Sequence, residues 1–566
     1  MTFVPASNAE GLRGEVQLDQ AISPAGAYGS DDTDISSSGF NVYAVWTEAA
    51  VPPSTSNDIY YCRSLDGGKS WSSPINLSAN DVIDDGKADI TSDGNRVVVA
   101  WLHGSALATQ DVRAVVSTDG GATFGPVLEL SGSLKGDAGD ADSLRVKIKS
   151  SNIYVSFEDD AANPGLTEDV YVVSSMDGGT NFGSPVRVND SAAGTVDCDD
   201  PELDTTGSTA YFVWLDKRTG NDGVYFSSSV DGGANWSADK RLDRGGLIGD
   251  AGNPSMSVEG SNVYIDWVDD RNNPAVADEV FFVSSANSGV SFTLDKKLGS
   301  AASGVDADSP RISVSGSHVY AVWVDNRNGL NSDVFLAASS DGGSTFSSEF
   351  ALDPDAGSIH DVSPHLRAKG DSVFVLYQEE TFAPLLHQMW LSYSPNRGVS
   401  GSFQRLRLSS SLGPAGDAND HQFTVTDYRD VVGVWTDDRA DGLTHDVYAN
   451  GQRFPNLTAV QNGSRISFQI SDATPSEEGK FFLAVFSLTG TNSTILPGGM
   501  NLCLTVDSFT LLLIQAPIIP FVSDFVQNGA ASTSDLPLKM TGYAAGLIIN
   551  PVGTVILAAT DPVRFN

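Results

Sequence analysis

The chain is short of cysteine, of basic residues and of long apolar runs, and each shortage removes a class of protein. Its three cysteines, Cys62, Cys198 and Cys503, lie far apart with neither metal-ligand nor redox spacing. That excludes a zinc finger and a CxxC redox centre, and leaves small buried side chains as their expected role. Lys and Arg number 33 against 72 Asp and Glu, a formal charge of -39. Such a surface repels phosphate backbones and anionic membranes at long range, so nucleic acid is excluded as a partner. The most apolar run, FTLLLIQAPIIPFV from Phe509, is too short and too proline-interrupted to span a bilayer, and no membrane insertion is expected. The opening MTFVPASNAEGL lacks the basic and apolar regions of a signal peptide, although a mature secreted chain carrying an added Met would read the same way.

Glycine is plentiful, and much of it sits in one repeated phrase. SLDGGKSW starts at Ser64, STDGGATF at Ser117, SMDGGTNF at Ser175, SVDGGANW at Ser229 and SSDGGSTF at Ser339, with a worn copy, SANSGVSF, at Ser285. Gly-Gly permits positive φ and an Asp carboxylate can bond the N–H groups of its own turn, so the phrase predicts a structural turn. Its closing Trp or Phe is expected to pack inward between repeating units. A second aromatic ends a β-rich run in every unit: Trp46, Trp101, Phe157, Trp214, Trp267, Trp323, Tyr377 and Trp435.

Within one unit, Asp306 to Asp353, the runs PRISVS, HVYAVWV, DVFLAASS and EFALD read as four strands. Four antiparallel strands repeated around an axis make a propeller blade. The last unit stops after HDVYAN without its fourth strand, while EVQLDQ from Glu15 matches a fourth strand that leads into the next blade. The expected fold is therefore all-β: an eight-bladed β-propeller over 15–454 whose N-terminal strand closes the last blade. Residues 1–14 form an extension, and 455–566 carry short apolar runs between Gly, Pro, Asn and Ser clusters, the pattern of a C-terminal β-sandwich module.

The repeated phrase resembles the Asp-box, or BNR repeat, S-x-D-x-G-x-x-W/F, of sialidases and sialidase-like propellers, over about Glu15 to Phe454. The resemblance implies a propeller with a glycan-related role, in a family that mixes glycosidases, lyases, binding modules and assembly factors. Sialidases look six-bladed, and a sialidase would further need an FRIP-like arginine motif, three arginines for the substrate carboxylate, an Asp acid and a Tyr-Glu pair. There is no FRIP here, and Tyr377 stands in the position of a core aromatic. The ending ILAATDPVRF resembles C-terminal β-modules of secreted bacterial proteins.

Chemistry is expected on the face opposite the repeated turns, where the loops before strand one and after strand two surround the channel. The former are acidic, and Asp140, Asp142, Asp197, Asp199, Asp306 and Asp308 are candidate calcium ligands; the alternative is that they cap their own loops. The latter carry Arg218, Arg271, Arg327 and Arg439, expected to pair with acids at the start of the third strand, as in Asp333-Val334 and Asp446-Val447, and to staple the loops.

A catalytic centre should appear where the symmetry breaks. Aligning the first strands gives the column Asp34, Asp89, Arg145, Glu202, Ser255, Arg311, His365 and Gln422, with Arg367 one pleat beyond His365. Asp89, Glu202 and His365 are the candidate catalytic groups, and Asp34, Arg145, Arg311, Arg367 and Gln422 the candidate substrate contacts. Blade seven deviates most, with His360, His365 and Glu379-Glu380 replacing the usual residues. Two functions compete. One is a secreted carbohydrate-active enzyme, a glycosidase or lyase, acting on an acidic polysaccharide at the channel mouth. The other is a non-catalytic extracellular or cell-surface protein, with the propeller as scaffold and 455–566 for attachment, multimerisation or plain capping.

Overall fold

The computed structural model describes residues 15–453 except for short loop segments (23–28, 50–55, 79–81, 105–109, 133, 135–139, 245–248, 273–276, 300–304, 330, 354–358, 383–384, 410–417, 428–429 and 439–444), and several strands between 456 and 565. Among these residues there is no helix. The chain forms two compact units, one covering 14–424 and 432–450 and the other containing 451–566.

The first unit is an eight-bladed propeller of four-stranded antiparallel sheets, seven of them built from consecutive strands. Blade six is typical: Ala307–Ser315, His318–Asp325, Asp333–Ser339 and Phe350–Ala351. The second strand of a blade is covered on both faces by neighbouring blades, which is why runs such as VYAVW are apolar without alternation. The eight aromatics that end these runs are at most 1% exposed. Burying a side chain of that size contributes roughly 1.5–3 kcal/mol. The fourth strands are only two to four residues long, leaving little unpaired backbone at the rim.

The eighth sheet closes as the sequence requires. Val16 and Gln17 pair with Ala449 and Tyr448, and Leu18 N–H donates to Val447 O at 2.8 Å. Asp19 then accepts the Val447 N–H at 2.9 Å, so the two ends of the propeller are tied by side chain as well as backbone.

The Ser-Asp-Gly-Gly turns join the third and fourth strands. In the first, Ser64 Oγ donates to Asp66 Oδ1 at 2.7 Å and accepts the Gly68 N–H at 2.8 Å. Asp66 also takes the Ser70 N–H at 2.9 Å and the Ser70 hydroxyl at 2.7 Å. The backbone bond recurs at Asp119, Asp177, Asp231, Asp341 and Asn287, while the side-chain donor is a Thr hydroxyl at Asp119 and Asp341 and an Asn amide at Asp177 and Asp231, and Asn287 instead donates to Ser291 Oγ. The closing aromatics reach the preceding blade: Phe124 meets Tyr61, Phe292 meets Phe226 and Phe346 meets Phe282 edge-on, with centroids 4.8 to 5.0 Å apart. The second glycine serves that approach. At Gly343, φ is +77° and a Cβ would stand 2.5 Å from the Phe282 ring.

In the second unit, Asn456–Asn462 pairs with Arg465–Ser471, and Phe481–Ser487 with Gly542–Ile549, all antiparallel. The face-to-face packing that defines a sandwich lies outside the described residues, as do the extension 1–14 and Cys503.

Two outcomes follow from the turns. Gly343→Ala is expected to cost about 1–3 kcal/mol by forcing Phe282 aside, read as a lowered denaturation midpoint. Hydrogen bonds from each turn's own hydroxyls, amides and N–H groups hold Asp177, Asp231 and Asp341 down to about 2. Their contribution to stability is therefore intact above about pH 4 and lost as pH falls toward about 2, which unfolding midpoints across that range will register.

Candidate functional site

The first strands of successive blades stand side by side around the channel, and each is kinked by one bulge. The bulged residues are Asp32, Lys87, Ser143, Asp200, Asn253, Ser309, Ser363 and Asp420, all non-glycine and all at φ between 42° and 52°. An extra residue in left-handed conformation turns the strand, so the channel mouth is lined by residues that alternation alone would misplace. Two residues beyond each bulge lies one member of the predicted column.

Several of these members hold the ring together. Asp34 Oδ2 accepts the Ile90 N–H of the next blade at 2.9 Å, and Asp89 Oδ2 accepts the Val146 N–H at 2.8 Å. Ser255 Oγ accepts the Ile312 N–H at 3.2 Å. Further along the strands Asp204 and Glu259 do the same for Val258 and Gly316, at 3.1 and 2.6 Å. Each is an inter-blade tie, which engages the carboxylates of Asp34 and Asp89 in architecture.

The rest of the column is cationic and imidazole-bearing. Arg145 Nε lies 3.3 Å from Glu202 Oε1, a half-exposed pair, and the nearby Glu202 charge raises the arginine's pKa. Arg311 and Arg367 each donate to the carbonyl of the residue before them, Pro310 at 2.9 Å and Leu366 at 3.1 Å. Among the described residues neither forms an ion pair. Arg367 stands 5.7 Å over the Phe423 ring, and its enclosure, with Arg311 adding to it, lowers its pKa. Gln422 sits half-buried in the eighth first strand.

His365 meets His421 edge-on, with centroids 5.0 Å apart. Burial, then His421, Arg311 and Arg367, push His365 well below its ordinary value. His421 is pushed down to about 4 by burial, and its Nε2 donates to Ser363 O at 2.8 Å. Both imidazoles are therefore neutral at neutral pH. Enclosure and the Asp89 charge hold the Asp34 carboxyl far above the usual range. The mouth thus offers guanidinium groups outside any ion pair among the described residues beside a neutral base, inside a strongly acidic protein.

Sequence reading missed His421 and Asp266. Asp266 is fully buried with no hydrogen-bond partner at either carboxyl oxygen, and desolvation raises its pKa far above the usual range. The signal was in plain view: VYIDW puts an acid where the neighbouring units have valine.

The loop acids mostly do local work. Asp140 caps the Gln110 N–H at 2.9 Å, Asp306 caps the Asp278 N–H at 3.0 Å, and Asn253 Nδ2 donates to Asp308 at 2.7 Å. Lys87 holds Asp142 at 2.7 Å, and Lys217 bridges Asp197 and Asp199 at 2.9 and 2.7 Å. Among the described residues, two sets of three acids bring ligand oxygens within 4.8 Å of one another and could hold a metal ion: Glu158, Glu168 and Asp199, and Asp333, Asp353 and Asp361. Of the six predicted ligands only Asp199 belongs to either.

The loop arginines are staples, but their partners differ from the expected ones. Arg218, Arg271 and Arg327 fold back on Asp216, Asp269 and Asp325, two residues earlier, at 2.5 to 2.6 Å. Each also reaches an acid ahead of the fourth strand, Asp239, Asp295 or Glu349. The acids at the start of the third strand are not used because a bidentate fork fits the nearer carboxylate without spanning the loop. Arg439 lies outside the described residues. Tyr377 is buried, with its hydroxyl 3.3 Å from Ser392 Oγ.

No family model and no curated protein matches the sequence. Solved structures to which the chain is similar include an ulvan lyase, at 13% identity and a TM-score of 0.44 over 64% of this chain and 94% of that one. Another is a polysaccharide lyase at 11% identity and a TM-score of 0.41, over 64% and 89% of the two chains. A third is an α-L-arabinofuranosidase from Fusarium graminearum, at 13% identity and a TM-score of 0.37, over 55% and 93%. No residue role passes from any of them to this chain.

The neutral state of the histidine pair has a measurable sign. The unfolded chain protonates His421 near 6.5 and the folded chain only near 4, so stability falls as pH is lowered between those values. His421→Gln, which can still donate to Ser363 O, is expected to flatten that fall in denaturant titrations at stepped pH.

Proposed function

We propose that the propeller is a carbohydrate-active protein whose channel mouth takes an acidic glycan, and that the reaction it favours is elimination next to a uronate. The observation that carries this reading is the placement of His365, neutral at neutral pH, in the field of Arg311 and Arg367, which have no carboxylate of their own among the described residues. Arginines outside any ion pair among the described residues, in a chain of net charge -39, form a local site for an anion.

In the proposed step Arg311 and Arg367 hold the sugar carboxylate and stabilise the charge that develops on it. His365 takes the proton from the carbon beside that carboxylate, a carbon–carbon double bond forms, and the bond to the leaving sugar oxygen breaks. The leaving oxygen takes its proton from water, because Asp34 is engaged by the Ile90 N–H of the next blade. Hydrolysis by two carboxylates is a weaker fit, because Asp89 is engaged by the Val146 N–H and Glu202 by Arg145. The likeness to sialidase-type propellers rests on the repeated turns, and the buried Tyr377 does not supply a sialidase nucleophile. An extracellular or cell-surface setting, with attachment or self-association through 455–566, belongs to the same proposal, as does calcium at the Glu158, Glu168 and Asp199 cluster.

The test is a panel of uronate-containing and neutral polysaccharides, followed by the absorbance of unsaturated uronate products. Wild type is expected to cleave a uronate polymer. His365→Gln should lose about 10²–10⁴-fold in kcat, and Arg311→Ala should raise KM. Equal turnover by wild type and His365→Gln would refute the assignment. Binding without turnover in wild type would favour the scaffold reading.

A further inference from the structure

The corners where one blade hands over to the next share one layout, and among the described residues the corner between blades six and seven is the one with an acid at all three of its positions. Each corner brings together the first residue of a third strand, the residue after the buried Leu or Val that follows the fourth strand, and the residue two before the next blade's left-handed residue. Between blades one and two these are Asp58, Ser78 and Asp85. Ser78 Oγ donates to Asp58 at 3.2 Å, while Trp101 Nε1 and His103 Nδ1 each lie 2.8 Å from Asp85 Oδ1. Between blades two and three Ser131 donates to Asp111 at 3.4 Å, and the third position is Ala141. Between blades three and four Asn189 Nδ2 donates to Asp169 at 2.7 Å, and the third position is Cys198. At these three corners an acid meets a hydroxyl or amide donor, and the third residue is either apolar or supplied with its own donors.

Between blades six and seven the three positions are Asp333, Asp353 and Asp361, all buried, with carboxyl oxygens within 4.8 Å of one another. The donor has become a second acid, and the third position is acid as well. Asp361 is 2% exposed, and neither of its carboxyl oxygens has a hydrogen-bond partner. Asn328 Nδ2 reaches Asp333 at 2.7 Å. The neighbouring guanidinium, Arg405, is engaged with Glu379 at 2.9 Å. Asp361 is thus a buried carboxylate whose oxygens meet two further acids and no donor, an arrangement that costs stability unless a cation or a proton fills it.

We propose that Asp333, Asp353 and Asp361 form a structural site for a hard divalent cation, calcium in particular, that pins blade six to blade seven. The donor set is carboxylate oxygen alone, with neither sulfur nor imidazole among the three, which suits calcium and not zinc or copper. Three carboxylates supply up to six oxygens, close to what calcium takes. The site is separate from the channel mouth and does not depend on the reaction proposed there.

The test compares the full chain with Asp353→Ser, which restores the acid-and-hydroxyl chemistry of the first corner, and with Asp361→Asn. Both are placed beside Asp199→Asn, which alters the other acidic cluster. Bound metal is measured by elemental analysis after dialysis against calcium or magnesium, and Tm with and without a chelator. Wild type is expected to hold about one calcium ion per chain more than Asp353→Ser and Asp361→Asn, and wild type and Asp199→Asn to lose Tm on chelation to a degree those two variants do not. Asp353→Ser should melt no lower than chelated wild type, which separates loss of the ion from loss of the fold. Equal calcium content in wild type and both corner variants would overturn the proposal. So would a wild-type Tm that ignores chelator and calcium but falls as pH rises from about 4 to about 9, since protons would then be filling the corner.

Discussion

Blades one, two, four, five and six are each tied to the next by a side-chain acceptor on the innermost strand that takes up an N–H one repeat away, as Asp34 does for Ile90 and Asp89 for Val146. This tie decides what else the channel can be. A carboxylate engaged by a neighbour's backbone keeps the ring closed around its axis, and the same engagement removes it from proton transfer. Chemistry is left to the positions where the tie is missing. There the ring carries Arg311 and His365, which donate to their own strand or turn toward another imidazole.

The fold was legible because every level of the sequence repeats it. The turn phrase, the apolar second strand and its terminal aromatic recur at one spacing, and the missing fourth strand of the last unit could be found at the start of the chain. Propensity, patterning and closure agreed, which is the condition under which a sequence specifies one structure. The column beside the channel was also legible as positions, from strand alignment alone.

What those positions do was not legible. Whether Asp89 is a base or a brace depends on an N–H contributed by Val146, 57 residues later, and no local pattern carries that contact. The loop arginines illustrate the same limit: recurrence marked Arg327 as a staple, yet the choice of Asp325 over Asp333 is set by side-chain reach within the loop. Leaving Asp333 without that partner is also what makes a three-acid corner geometrically available. Asp266 and His421 were missed because repeat alignment draws attention to columns, and both lie one step off the column that was aligned.

The closure at Val16 and Gln17 carries a consequence for biogenesis. The strand that completes the eighth blade is made before the rest of the ring, and its partners, Tyr448 and Ala449, are made more than four hundred residues later. Throughout that interval the nascent ring carries an unmatched edge, a sticky intermediate of the kind chaperones recognise. Synthesis order and assembly order run against each other here, and the final docking event cannot precede translation of nearly the whole ring.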